Sequence, residues 1–261
     1  MSGIITLTTD FGASSPYVAA MKGVILSINP RATLVDITHA VPPQDVRQGA
    51  LVLFDSAKWF GPETIHVAVV DPGVGTSRKI VYARFGSQQF IAPDNGLLSR
   101  LALATLPSTI ITVAEPEFWL PAVSATFHGR DIMAPVAARL SLGLEPSRLG
   151  PRQDELVRLE WAEARVTARK IEGSVQSIDS FGNLITDIEG SAMADVSRGE
   201  ETAIVCDDHE TRGIFSTYAD QPEMTLIALI GSSGKLELAI VGESAAIMLG
   251  VTVGTPVKVT W

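Results

Sequence analysis

The chain has 261 residues, 46% of them hydrophobic, and a formal net charge of −9. That length suits one large domain or two modest ones, and the apolar share argues against a disordered chain. The acidic balance argues against a nucleic-acid groove or an anionic membrane surface as the main partner. Cys206 is the only cysteine, so no internal disulfide and no cysteine-based zinc site can form. A reducing, cytoplasmic setting is expected. The opening residues lack a basic leader and reach Asp10 too soon for a signal peptide. No apolar run approaches the length of a membrane span.

Ile4 to Thr9 reads as a buried strand ending at Asp10-Phe11-Gly12. Pro16 suits the first turn of a helix over Tyr17 to Ile28, with Val18, Met21, Ile25 and Ile28 on one face. Thr33 to Thr38 reads as a second strand, Val46 to Phe60 as a helix closed by Gly61-Pro62, and His66 to Val70 as a third strand. Lys79 to Phe85 and Gln89 to Ala92 form a hairpin around Gly86-Ser87. A helix over Asn95 to Ala104, a strand over Thr109 to Val113 and a helix over Ile132 to Leu142 follow. Strands alternating with helices predict a three-layer α/β domain with a mostly parallel sheet over residues 1–150. Residues 151–165, within a Pro- and charge-rich stretch, read as a linker. Residues 166–261 carry short β-rich runs parted by Gly and Asp turns, the pattern of a small barrel or sandwich.

The stretch Val70-Asp71-Pro72-Gly73-Val74-Gly75-Thr76 with Arg78 is the strongest candidate for chemistry. Pro72 pushes Asp71 towards extended backbone, which sets its carboxylate at a strand end beside a glycine loop, where α/β sheets bind ligands. The plain alternative is a turn with a surface Asp–Arg pair. No Gly-Lys-Ser/Thr follows and the next segment reads as a strand, which excludes a phosphate loop. Asp10, after the first strand, can accept hydrogen bonds from vicinal ribose hydroxyls; otherwise it makes an Asx turn or a helix cap. His128, in Phe127-His128-Gly129-Arg130-Asp131, stands in a turn ahead of a helix and is a better candidate than His66, His209 or His39. No dense His or carboxylate cluster suggests a metal. In the second half, Asp179-Ser180-Phe181-Gly182-Asn183 offers a carboxylate for an ammonium group and an amide for a purine edge, or simply a β-turn. Gly231-Ser232-Ser233-Gly234 is a second polar glycine turn.

These motifs, with Val35-Asp36-Ile37-Thr38-His39 and Ala92-Pro93-Asp94-Asn95-Gly96-Leu97-Leu98, are spread along nearly the whole chain. Together they resemble the S-adenosyl-L-methionine (SAM) hydroxide adenosyltransferases, or SAM hydrolases, relatives of fluorinase and chlorinase. The resemblance implies an N-terminal α/β domain, a C-terminal β-barrel and a homotrimer with SAM bound between subunits. It implies that water or hydroxide attacks the ribose C5′, releasing adenosine and L-methionine, with SAM as substrate and no cofactor. Asp71, Arg78 and His128 fall on the water-handling positions. Asp10 matches the ribose-binding Asp, Asp179 and Ser232 the methionine end, and Asn183 the adenine. Phe127 and Tyr218 fall among the substrate-binding positions, Tyr218 where an aromatic packs near the adenosine. The halogenating relatives have Tyr in place of Asp71 and lack the His, which favours hydroxide over halide here. Two positions depart from the pattern: Ser15, where many relatives have Asp, and Val241, where Asn is expected. A binding module without turnover is the alternative from outside the enzymes.

Overall fold

The computed structural model describes residues 3–261, which separate into a unit running through Leu159 and a second from Glu160. In the first unit, β1 (Ile4–Thr9), β2 (Thr33–Thr38), β3 (Ile65–Val69), β4 (Ile80–Phe85), β5 (Gln88–Pro93) and β6 (Thr109–Thr112) form one sheet. Its order is β2-β1-β3-β5-β4-β6. The first four strands in that order run parallel, and β4 pairs antiparallel with β5 and β6. The helices are α1 (Tyr17–Ile28), α2 (Val46–Ala57), α3 (Ser99–Ala104) and α4 (Ala134–Ser141).

The alternation of β1 and β3 decides the layers. Ile5, Leu7, Ile65, Val67 and Val69 meet Met21 and Ile25 of α1 and Val136 and Ala137 of α4 in one buried core. On the other face α2 lies so close that a Cβ on Gly49 would come within 3.0 Å of Val70 Cγ2. This is the expected three-layer α/β arrangement. His66 belongs to that second face. Its Nδ1 lies 2.8 Å from Thr6 Oγ1, its ring stacks on Phe90 at 4.6 Å, and burial holds its pKa down to about 4. It is therefore a neutral core residue.

Three helices start or stop differently from the sequence pattern. The second ends at Ala57, because Trp59 N–H and Phe60 N–H turn back to the carbonyls of Ser56 and Ala57. The third begins only at Ser99, because the Asn95 side chain is diverted to Val70 O (2.9 Å) and the Leu97 N–H (3.2 Å). The fourth is entered through a π-turn over Gly129–Met133. Residues 149–157 lie against the first unit: Thr112 N–H donates to Pro151 O, Gln153 N–H to Ile110 O, and Val157 N–H to Asp94 Oδ1.

The second unit contains β7 (Arg165–Thr167), β8 (Lys170–Ile178), β9 (Leu184–Glu189), β10 (Ala203–Cys206), β11 (His209–Arg212), β12 (Leu226–Ile230), β13 (Lys235–Ile240), α5 (Ala245–Leu249) and β14 (Pro256–Thr260). The strands pair antiparallel in the order β11-β10-β14-β8-β9-β13-β12. The two ends approach, and the Thr211 hydroxyl of β11 donates to Leu226 O of β12 at 2.7 Å. The result is a nearly closed barrel around Ile171, Leu184, Ile204, Leu236 and Val257, not a sandwich. Cys206 lies in that core, where burial pushes its thiol up to about 11; such a thiol is unreactive. Among the described residues no helix is long and apolar enough to cross a membrane.

Candidate active site

A cavity of about 240 Å³ opens past the carboxyl ends of β1 and β3, with Asp10, Gln44, Asp71, Phe127 and His128 in its wall. This is the edge at which such sheets bind ligands. Asp71 reaches it because β3 stops at Val69 and Pro72 follows. The chain then turns through Gly75, at φ +79°, where a Cβ would stand 2.4 Å from the Ala125 carbonyl oxygen. Only glycine lets this loop lie against the segment that carries His128.

The turn returns Arg78 to Asp71. Arg78 Nε lies 2.9 and 3.0 Å from the two carboxylate oxygens, and Nη2 lies 2.5 Å from Oδ2. The same Nη2 lies 2.8 Å from His128 Nδ1. The pair is sheltered, with side-chain exposures of 11% for Arg78 and 5% for Asp71. Arginine can only donate, so Nδ1 is the acceptor and the neutral ring carries its proton on Nε2. Burial lowers the His128 pKa, and the Arg78 charge lowers it further against the opposing pull of Asp71 and Asp131. Arg78 thus stands behind the cavity wall and ties together the two residues that form it.

Asp131 braces the His128 segment. It is fully buried and accepts from Ser124 N–H (2.8 Å), Arg130 Nε (2.6 Å) and Arg130 Nη2 (3.0 Å). Burial alone would raise its pKa; these donors outweigh it and hold the carboxyl below the usual range. The Arg130 guanidinium lies 4.8 Å over the Phe127 ring, which meets Phe11 and Tyr17 edge-on at 5.7 and 5.2 Å. Across the cavity, Asp10 Oδ2 accepts from Gln44 N–H at 2.8 Å, with Gln44 in a left-handed conformation at φ +65°. His39 supports the loop after β1 from behind: its Nδ1 lies 2.9 Å from Thr9 Oγ1 and its carbonyl accepts from Gly12 N–H at 2.8 Å. Ser15 donates to Phe11 O at 2.9 Å.

The second unit has its own cavity, about 450 Å³, lined by Phe181, Asn183, Tyr218 and Ser244 among others. Asp179 accepts from Phe181 N–H (2.9 Å), Asn183 N–H (2.8 Å) and Asn183 Nδ2 (3.0 Å). Its carboxylate thereby holds the turn that presents Phe181 and Asn183. Ser232 sits in the exposed 231–234 turn and does not line this cavity. The Val241 backbone pairs with Thr225 O and Met224 N–H. Three residues are added to those picked out by sequence: Gln44, Asp131 and Glu237, a buried acid under Tyr218. For Glu237 the signal was there, a carboxylate inside the apolar run Leu236-Glu237-Leu238. Among the described residues no group of three or more His, Cys, Asp or Glu could hold a metal ion.

Residues 5–150 match the SAM hydroxide adenosyltransferase N-terminal domain, and residues 173–258 match the C-terminal domain. The chain is 38% identical over 259 residues to the (R)-S-adenosyl-L-methionine hydrolase of Salinispora tropica, across 98% of this chain and 97% of that protein. It is 29% identical over 288 residues to the fluorinase of Nocardia brasiliensis, across 98% and 96% of the two. The crystal structure of an uncharacterized conserved protein from Thermotoga maritima matches with a TM-score of 0.94 at 34% identity, covering 98% of this chain and all (100%) of that one.

Proposed function

The chain belongs to the SAM hydroxide adenosyltransferase family, and from that premise we propose that it hydrolyses SAM to adenosine and L-methionine. The observation that carries the reading is the hydrogen-bonded line Asp71–Arg78–His128, whose two ends face one cavity. A water held there donates to Asp71 and accepts from His128 Nε2–H, leaving a lone pair for C5′. The C5′–O bond forms as the C5′–S bond breaks, the bonding pair stays on sulfur, and methionine leaves as a neutral thioether. The water's proton passes to Asp71, and Arg78 holds both partners in place while charge shifts between them. A carboxylate acceptor suits a nucleophile that has a proton to give, which favours water over halide. Asp10 takes the ribose hydroxyls and Phe127 packs beside them. The second-unit cavity takes the nucleoside end, with Asn183 at the purine edge and Tyr218 against its face; Asp179 and Ser232 serve the methionine end.

We further propose a homotrimer in which the water-handling groups of one subunit work with the adenine-binding groups of another. Neither cavity alone carries both sets, which supports that reading. No metal or cofactor is needed, because the sulfonium is already an electrophile. The lone thiol suits a cytoplasmic location. Purified protein incubated with SAM should release adenosine and methionine in equal amounts, equally with or without chloride and in the presence of a chelator. Halide-dependent formation of a 5′-halogenated nucleoside, or binding without turnover, would overturn the reading.

The lowered His128 pKa gives a signed pH dependence. Protonation would put a second hydrogen on Nδ1, the atom that accepts from Arg78, and so break the line. Because the fold favours the neutral ring, activity is complete at neutral pH and falls as pH drops through a midpoint below about 6.5. The kcat/KM profile should show that acid limb; a midpoint above 6.5 would contradict it.

A further inference from the structure

Glu237 is the odd residue on its face of the barrel. β13 points Leu236, Leu238 and Ile240 into the core. Ala239, on the opposite face, packs with Ile227, Leu229 and Phe215. Glu237 shares that outer face, is 5% exposed, and its Oε1 accepts the Tyr218 phenol at 2.5 Å. Its Oε2 lies against Gly231, where a Cβ would meet it at 2.3 Å. No cation pairs with this carboxylate, and burial, with the nearby Asp179 charge, raises its pKa despite the phenol's donation. Burying a carboxylate without a cation costs stability, and apolar replacements at such sites are often neutral or stabilising. The cost therefore points to something other than holding the barrel together.

What Glu237 holds is Tyr218. The segment before it is docked on β12, with Phe215 N–H donating to Ala228 O at 2.8 Å. Tyr218 opens a 3₁₀ turn over Tyr218–Asp220, closed by a capping box between Thr217 and Asp220, and Ser216 N–H also donates to Asp220 Oδ2 at 2.9 Å. The backbone is fixed, but the side chain is 43% exposed, so its direction depends on the anchor at its tip. Asn183, on the opposite wall, is fixed by Asp179. We propose that Glu237 is a positioning residue for the nucleoside end of the substrate, its carboxylate setting the Tyr218 ring as one wall of the second-unit cavity. This rests on the proposed function, in which that cavity takes the nucleoside.

The test compares wild type with E237Q, E237L, Y218F and E237L/Y218F, reading kcat and KM for SAM and Kd for adenosine. E237L and Y218F should each raise KM and Kd about tenfold, the low side for loss of a charge-assisted bond, with kcat within about twofold. E237Q keeps an acceptor and should stay within about threefold of wild type. The double variant should be no worse than the worse single, because both remove one contact. Y218F changes one exposed atom and reads the same contact should E237L fold poorly. A KM unchanged in either single, or a double loss equal to the product of the singles, would overturn the proposal. If wild type releases no adenosine, the proposed function itself fails; an active wild type with unaffected E237L sinks the positioning role alone.

Discussion

Asp71→Asn lowers kcat for SAM cleavage about tenfold or more and leaves SAM binding within about threefold of wild type. The substitution keeps the shape and removes the charge. It deletes the acceptor for the water's proton, and an amide nitrogen facing Arg78 replaces an attraction with a donor–donor clash. Positioned acid–base groups contribute roughly 10²–10⁴-fold, so tenfold is the low side. Arg78→Lys belongs to the same test. Lysine keeps the charge, but its single nitrogen cannot span both Asp71 oxygens and His128 Nδ1 as the planar guanidinium does. His128→Ala removes the other end of the line. All three should cost kcat, since the groups face the water. Combined variants should lose less than the product of the singles, because the three residues act as a unit. Steady-state kinetics with equilibrium binding of SAM checks this; three variants near wild type in kcat would refute the assigned roles.

Asp10→Ala has the opposite signature. The lost carboxylate is the partner proposed for two ribose hydroxyls, and hydrogen bonds to a charged group are worth about 1.5–3 kcal/mol each. The Kd for SAM should rise at least about tenfold. Asp10 Oδ2 also accepts from Gln44 N–H, so Ala frees the loop between β2 and α2 as well. Asp10→Asn keeps one carbonyl acceptor for that N–H and should fall between wild type and Ala. Calorimetric titration with SAM and adenosine separates the cases. Equal Kd for wild type and Ala would remove Asp10 from the ribose site.

Hydrophobic period and turn residues made much of the layering readable in the sequence. Ile4–Thr9, Tyr17–Ile28 and the hairpin around Gly86 announce themselves because each is fixed by neighbours a few residues away. The strand ends also place Asp10 and Asp71 at one edge. Side-chain direction is a different matter. Arg78 looked from its spacing like a third group at the cavity, yet it lies behind the wall, because its fork is filled by Asp71 and by a histidine fifty residues on. Asp179 looked free to meet a cation, yet three donors of its own turn occupy it. Gln44 contributes a backbone N–H, for which no residue type is diagnostic. Glu237 could be seen as out of place in an apolar strand, but its partner Tyr218 comes from a segment that only the closed barrel brings above it.

The central claim is that water attacks C5′ in a cavity walled by Asp71 and His128. A turnover in ¹⁸O-labelled water, with adenosine and methionine analysed by mass spectrometry, tests it most directly. The account predicts one ¹⁸O atom in adenosine, on the 5′ carbon, and none in methionine. Adenosine without label, or a 5′-halogenated nucleoside in its place when chloride is present, would contradict it.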